Sequence, residues 1–154
     1  MSAVTSSLQQ IFLLRDLRPE ALALLEQAST SLTVDAGREI FREGQPADSL
    51  YLIRSGSVRV SKPGNDSDVV MLGTGSHFGE LALVDDGPRS ASVTAIERCE
   101  VVRVDTAALR AKLDAAPQVA AVFYRAVARS LAKRLRVTTD DLTFARQLAL
   151  ERRR

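Results

Sequence analysis

The sequence predicts an α+β fold, in which an antiparallel β-roll or jelly-roll barrel lies between N-terminal helices and a long C-terminal helix. From Leu32 to Val104, apolar residues come in short runs separated by Gly, Pro, Asp and Ser, a pattern typical of many short strands. From Pro117 to about Ala149 there is no Gly and no further Pro, so one long helix is expected. At 154 residues, with 45% hydrophobic and 26% charged residues, the chain has the size and composition of one globular domain.

The pattern divides the chain into three segments. Residues 1–30 are expected to form a helical segment, with a short helix over 8–14 and a second from Pro19 to about Ser29. Residues 31–105 form the β-roll, and residues 106–154 form C-terminal helices over 106–115 and 117–149. The strands are predicted near 31–35, 38–42, 49–54, 57–61, 68–73, 90–95 and 99–104.

Composition excludes several classes of protein. No run approaches the roughly 20 apolar residues of a membrane span, and the N-terminus lacks the features of a secretory signal. The single cysteine, Cys99, excludes an internal disulfide and is expected to be a small buried side chain. We therefore expect a cytoplasmic protein without membrane contact. Acidic residues outnumber basic ones up to Ala116, whereas basic residues dominate from Pro117 onwards, so the sequence pI near 9.0 reflects the last segment.

The segment from Phe78 to Ala95 carries the chemistry of a binding site. Gly79 precedes one helical turn, where backbone N–H groups can approach an anion with no side chain in the way. Arg89 follows a tight turn and offers a planar fork that suits phosphate oxygens. Glu80 is a good acceptor for sugar hydroxyls. These three residues predict a pocket for a phosphorylated sugar ring, although a surface ion pair between Glu80 and Arg89 would also fit the pattern.

The same segment resembles the phosphate-binding cassette of the cyclic-nucleotide-binding domain family, whose pattern is F-G-E-L-A-L, a spacer and P-R-S/A/T-A. That family includes regulatory subunits of cAMP-dependent kinase, nucleotide-gated channels and bacterial catabolite activators. The pieces over 37–44 and 50–58 resemble the family in the same order, so the resemblance covers nearly the whole chain. The residues that match the cassette are Gly79, Glu80, Leu81, Ala82, Pro88, Arg89, Ser90 and Ala91.

The resemblance implies a role for each part of the pocket. Arg89 would hold the cyclic phosphate with backbone N–H groups near Ala82 and Ser90, while Glu80 and the Gly79 backbone would take the ribose 2′-hydroxyl. Alternating apolar residues on neighbouring strands would form a wall for the base, and two adjacent threonines of the long helix match positions that contact adenine in catabolite activators. The residues of the wall are Val60, Val69 and Leu72, and the two threonines, which would close the pocket, are Thr138 and Thr139. Leu81 lies at the start of the helical turn. The expected ligand is cAMP, with cGMP left open because Ser90 follows the arginine.

Other clusters of polar residues are read as structural. His77, the only histidine, is expected to be a solvent-facing loop residue, and Asp85 and Asp86 are expected to be turn formers. Arg129, Lys133 and Arg136 are read as a solvated basic face rather than a nucleic-acid or lipid contact. The sequence contains no recognisable catalytic set or metal site, so we expect neither an enzyme nor a cofactor other than the nucleotide ligand.

The long helix is expected to pair with its twin. Ala128, Leu131, Leu135, Thr138, Leu142, Ala145 and Ala149 recur at steps of three and four, as in a coiled-coil seam, which predicts a homodimerisation helix over 117–149. The alternative is a helix packed only on the roll. The leading functional hypothesis is a cyclic-nucleotide sensor that signals through this helix to a downstream protein that the sequence does not identify. Two alternatives are an effector domain of a transcription regulator lacking its DNA-binding part, and a ligand-free adaptor; the chain itself is not expected to bind DNA.

Overall fold

The structure, a computed structural model, describes residues 8–62 and 65–153, and of residues 65–69 it describes the backbone alone. Two four-stranded antiparallel sheets form its centre, with helices at both ends of the chain, so the predicted roll with flanking helices is confirmed. A 3₁₀ turn, Phe12–Leu14, precedes helix α1, Pro19–Gln27. The strands are β1 Ser29–Val34, β2 Glu39–Phe41, β3 Ser49–Ser55, β4 Val58–Lys62, β5 Asn65–Leu72, β6 His77–Phe78, β7 Ser92–Ala95 and β8 Cys99–Asp105; the later helices are α2 Leu81–Val84, α3 Thr106–Asp114 and α4 Pro117–Glu151.

Strand β3 lies at the boundary between the two halves of the hydrophobic core. The sheets have the orders β1-β8-β3-β6 and β2-β7-β4-β5, with antiparallel neighbours throughout. Because successive side chains of a strand point to opposite faces, Leu50 and Leu52 of β3 pack with the helices, whereas Tyr51 and Ile53 pack inside the roll. This strand is therefore apolar on both faces. Its burial fixes the position of Ser49 at its start and of Asp48 just before it.

The helices pack on the outer face of the first sheet. Leu22 and Leu25 of α1, Leu113 of α3 and Phe123 and Val127 of α4 are each at most 2% exposed, and each such side chain contributes about 1.5–3 kcal/mol by leaving water. Pro19 and Pro117 occupy the first turn of their helices, as predicted, and no side chain caps α1. The packing attaches the first third of α4 firmly to the roll.

The observed elements differ from the predicted ones at several ends. Strand β5 begins at Asn65 rather than near 68, and the two-residue strand β6 was not predicted, because two residues are too short to show an alternating pattern. Helix α3 has a cap that the sequence analysis missed, the Asp105 carboxylate, which accepts a hydrogen bond from the Ala108 N–H at 2.8 Å. The three-segment division of the chain stays a prediction.

The second half of α4 extends away from the roll. A helix of 35 residues is about 50 Å long, and from Ala132 onwards all of its described residues except Arg134 are exposed to solvent. Large apolar side chains are exposed there, with Leu135 67% and Leu142 52% accessible. Much of the predicted coiled-coil seam is thus exposed to solvent and does not pack against the rest of this chain. Within the described ranges, no helix has the combination of length and apolar content needed to cross a membrane.

Candidate functional site

An open cavity of about 1090 Å³ lies between the roll, α2 and α4. Glu80 and Arg89 both line it and both are buried, at 4% and 6% exposure, so the predicted carboxylate and guanidinium lie in one cavity. The other predicted residues that line it are Gly79, Leu81, Ala82, Ser90, Val60, Leu72 and Thr138. The side chain of Val69 falls outside the described ones, and Thr139 is not among the lining residues.

Three groups from strands β2 and β3 and the loop between them orient the Arg89 guanidinium. Its carbon lies 3.9 Å from the centre of the Phe41 ring, a cation–π contact. Arg89 Nη2 donates to Ser49 Oγ at 3.1 Å, and Ser49 Oγ in turn donates to Asp48 Oδ1 at 2.9 Å. The Arg89 Nε atom is buried and has no hydrogen-bond partner among the described residues. A buried donor without a partner costs about 1–3 kcal/mol, so the Arg89 guanidinium group, which lines the cavity, keeps a hydrogen-bonding capacity that the described residues do not use.

Gly79 is required because the guanidinium lies against it. Its φ of +77° is a left-handed conformation that favours glycine, and a Cβ there would lie 2.8 Å from Arg89 Nη1 and 3.2 Å from the Ser49 carbonyl oxygen. The sequence analysis had assigned Gly79 to close approach of a ligand. In the structure, the group that approaches closely is the arginine side chain itself.

The environment of Arg89 maintains its charge. Burial lowers the pKa of Arg89, and the nearby Tyr51 and Asp48 side chains oppose that shift; an arginine stays protonated at neutral pH in any case. Burial raises the pKa of Asp48, but the hydrogen bond from Ser49 and the charges of Arg103 and Arg89 outweigh it, so the net pKa is lowered. The site therefore presents a fixed positive charge with a nearby carboxylate that is ionised at neutral pH.

Glu80 is bound by an arginine of the long helix. Arg134 Nη1 donates to Glu80 Oε1, and Arg134 Nη2 donates to the His77 carbonyl oxygen at 2.6 Å. The alternative of a surface ion pair between Glu80 and Arg89 is wrong, because both side chains are buried and each has a different partner. Sequence reasoning missed Arg134, although a signal existed: it lies four residues before Thr138 and therefore on the same face of α4.

The prediction for His77 is also wrong. The residue is 5% exposed, because β6 pairs with β3 and turns the imidazole towards α4. Its Nε2 atom lies 3.2 Å from Ser130 Oγ and 3.9 Å from Glu80 Oε1. Burial, followed by the charge of Arg134, lowers the pKa of His77 to about 3. The imidazole is therefore neutral at physiological pH and forms part of the contact between the cavity and α4.

Helix α2 is held at both ends by its own loop and by α3. At its start, the Ala82 N–H donates to the Gly79 carbonyl at 3.2 Å. At its end, Arg110 of α3 donates to the carbonyls of Ala82 and Leu83 at 3.2 and 3.0 Å, a contact that the sequence analysis did not predict. Asp85 accepts a hydrogen bond from Gly87 N at 3.3 Å, which agrees with its interpretation as a turn former.

The remaining predicted residues are partly or largely exposed to solvent. Val60 and Leu72 are half-buried and form an apolar wall, to which the structure adds Val70, 56% exposed. Thr138 and Thr139 are exposed, and their hydroxyls donate to the carbonyls of their own helix four residues earlier, at 2.9 and 2.8 Å. Neither threonine contacts the roll through these hydroxyls.

No cluster suited to a metal ion is found in the described parts of the chain, that is, no group of three or more His, Cys, Asp or Glu residues. Cys99 is fully buried as predicted, and burial raises the pKa of its thiol. The site brings together one guanidinium, one carboxylate and an apolar wall around an open cavity.

Comparison with known proteins agrees with this geometry. Residues 31–116, more than half of the chain, match the family model described as cyclic nucleotide-binding domain. The chain is 34% identical over 127 residues to a CRP-like cAMP-activated global transcriptional regulator of Mycobacterium tuberculosis, covering 80% of this chain and 55% of that protein. It is 38% identical over 99 residues to a cAMP-dependent protein kinase regulatory subunit of Neurospora crassa, covering 64% of this chain and 26% of that protein.

Solved structures give the same result. The N-terminal domain of a transcriptional regulator from Streptomyces coelicolor matches with a TM-score of 0.68 and 34% identity, over 82% of this chain and 93% of that one. The Thermus thermophilus catabolite activator protein matches with a TM-score of 0.70 and 32% identity, over 86% and 62% of the two chains. The chain thus spans about half the length of the first of these curated relatives and about a quarter of the second.

Proposed function

The chain belongs to the cyclic nucleotide-binding domain family, and from this membership and the geometry of its cavity we propose that it is a cyclic-nucleotide sensor whose ligand is cAMP. The observation that carries the proposal is the buried Arg89 side chain, which lines the same cavity as Glu80 and has one donor, Nε, without a partner among the described residues. A binding role also agrees with the family, which is one of regulatory binding domains rather than of enzymes.

Arg89 is the group that would bind the cyclic phosphate. Phe41 and Ser49 fix its guanidinium before a ligand arrives, so little side-chain entropy remains to be lost on binding. The N–H of Ala82 already donates to the Gly79 carbonyl, and for this reason we assign the main phosphate contact to the arginine. Ser90, exposed at the cavity mouth, lies beside it.

Glu80 would accept a hydrogen bond from the ribose 2′-hydroxyl. Arg134 binds one carboxylate oxygen, Oε1, and the second oxygen is the one that we assign to the sugar. A carboxylate that is buried and paired is held in one orientation, which favours a ligand with a hydroxyl at a defined position. The Gly79 backbone would complete this part of the site.

The base would lie against the apolar wall, with α4 over it. Val60 and Leu72 provide this wall on the roll, and Thr138 of α4 lines the same cavity. The hydroxyls of Thr138 and Thr139 point to backbone carbonyls of α4, and a rotation about χ1 would make them available to a base. The Mycobacterium relative is a cAMP-activated regulator and the Neurospora relative belongs to a cAMP-dependent kinase, which supports cAMP over cGMP.

Calorimetric titration with cAMP and cGMP tests the proposal. We expect Arg89→Ala to lose about 2–5 kcal/mol of cAMP binding free energy, because the ligand phosphate would be left buried without its partner charge. Arg89→Lys keeps the positive charge but loses the two parallel N–H donors of the guanidinium, so it should bind cAMP with intermediate affinity. The matched control is Arg42→Ala, since the Arg42 side chain pairs with Glu39 at the surface of the roll.

The proposed role of Arg89 is refuted if Arg89→Ala binds cAMP as tightly as the wild type. Thermal unfolding reports on ligand binding independently, because ligand at about 100 times its dissociation constant adds about 2.7 kcal/mol of stability. No shift with either nucleotide would instead favour a ligand-free adaptor on the same scaffold.

We further propose that the sensor is a homodimer through residues 117–149 and that the ligand acts by favouring one position of α4. The exposed apolar residues of α4, including Leu135 and Leu142, support a partner helix, and the Arg134–Glu80 contact links this helix to the cavity. A second candidate is the effector domain of a transcription regulator, supported by the match to a regulator domain from Streptomyces coelicolor. The reading frame downstream of Arg154 would distinguish the two.

A further inference from the structure

His77 lies at the contact between the cavity and the long helix, and the proposed phosphate, ribose and base contacts do not use it. It is the only histidine of the chain and is 5% exposed. Its imidazole meets Ser130 of α4, and its backbone carbonyl accepts a hydrogen bond from Arg134 of the same helix at 2.6 Å. The residue therefore contacts α4 through both its side chain and its main chain.

The charged groups around the imidazole come from two elements. From α4, the Arg134 guanidinium raises the cost of a positive charge on the ring. From the loop after β6, the Glu80 carboxylate lies 3.9 Å away, but its Oε1 oxygen is already paired with Arg134. From β3, the residue opposite His77 is Leu52, which is apolar. A protonated His77 would thus be a second positive charge beside Arg134, and the two cations would have to share the single carboxylate of Glu80.

We propose that His77 is a positioning residue that holds α4 over the cavity only while its imidazole is neutral, so that protonation releases α4 and weakens ligand binding. The contact with Ser130 is short enough for a hydrogen bond in either tautomer of the neutral ring. The proposal rests on the proposed function in one respect, namely that α4 contributes to the ligand site through Arg134 and Thr138.

The direction of the pH effect follows from the two states of the helix. With α4 in place, burial and Arg134 hold the pKa of His77 at about 3. With α4 released, the ring is hydrated and regains an ordinary pKa of about 6.5. Well above pH 6.5 neither state takes up a proton, and the contact is fully favourable. As the pH falls from 6.5 towards 3, only the released state gains a proton, so at pH 5.5 it is favoured by up to about tenfold more than at pH 7.5.

The affinity of the untagged full chain for cAMP, measured by calorimetry at pH 7.5 and pH 5.5, tests the proposal. Because α4 is mostly in place in the free protein, only part of this shift reaches the affinity, and we expect the dissociation constant of the wild type to rise by about two- to threefold at the lower pH. His77→Gln should show no such rise, because its amide can bond to Ser130 but does not titrate. Thr143→Ala is the matched control, since that hydroxyl of α4 donates to the Thr139 carbonyl of its own helix; it should respond to pH as the wild type does.

A second readout comes from NMR, where the single imidazole gives one titration curve without ligand. We expect a midpoint well below 6.5 in the wild type and a midpoint closer to 6.5 in Ser130→Ala. The proposal is overturned if the wild-type midpoint is near 6.5, if wild-type affinity does not change with pH, or if His77→Gln loses affinity in acid as much as the wild type. If cAMP does not bind at pH 7.5, the proposed function fails, and the NMR titration alone decides whether the proton is coupled to the helix contact.

Discussion

Replacing Gly79 by alanine tests how the arginine of the site is held. The backbone there has a φ of +77°, which costs an alanine about 1–2 kcal/mol. The new Cβ would lie 2.8 Å from Arg89 Nη1 and 3.2 Å from the Ser49 carbonyl oxygen, so the guanidinium must move off Phe41 and stretch its bond to Ser49. Losing a hydrogen bond from a charged group costs about 1.5–3 kcal/mol. We therefore expect Gly79→Ala to lower the free energy of unfolding by about 2.5–5 kcal/mol.

Gly37→Ala is the matched control for this experiment. Gly37 has a φ of +80°, nearly that of Gly79, but a Cβ added there meets nothing within 4 Å. It should therefore show the backbone cost alone, about 1–2 kcal/mol, with unchanged ligand affinity. Urea unfolding without ligand gives the stabilities, and calorimetry gives the affinities. We expect Gly79→Ala, unlike the control, to bind cAMP at least about tenfold more weakly. Equal stabilities and equal affinities of the two variants would refute the packing of Arg89 on Gly79.

Two further predictions concern the helices. Arg110→Ala removes the donor to two carbonyls at the end of α2. We expect the variant to be less stable by about 1 kcal/mol and to show faster hydrogen exchange in α2. The control is Lys112→Ala, which removes an exposed contact of α3 and should leave the exchange in α2 unaltered. Leu135→Lys, on the predicted seam, should shift the sedimentation of a dimer towards the monomer, whereas Phe144→Lys, equally exposed but on the opposite face of α4, should not. A wild type that stays monomeric at high micromolar concentration would refute the dimer.

The sequence predicted the parts of the site that lie in one contiguous segment. Gly79, Glu80 and Arg89 fall within a dozen residues, and their residue types restrict both the turn that they form and the ligand that they can bind. The strands were predicted for the same reason, because alternation of apolar residues is a local property. The two-residue strand that contains His77 was too short to show alternation. The imidazole was therefore predicted to face solvent, whereas the structure buries it.

By itself, then, the sequence determined the fold class, and it predicted the cassette and the chemistry of the proposed ligand. Only the tertiary structure decided the partners of those residues: Ser49 beneath the guanidinium, 40 residues earlier in the chain, and Arg134 on the carboxylate, 54 residues later. The reason is physical. Turns and strands follow from backbone preferences over a few residues, whereas the partner of a buried charge depends on which distant segments the hydrophobic core brings together.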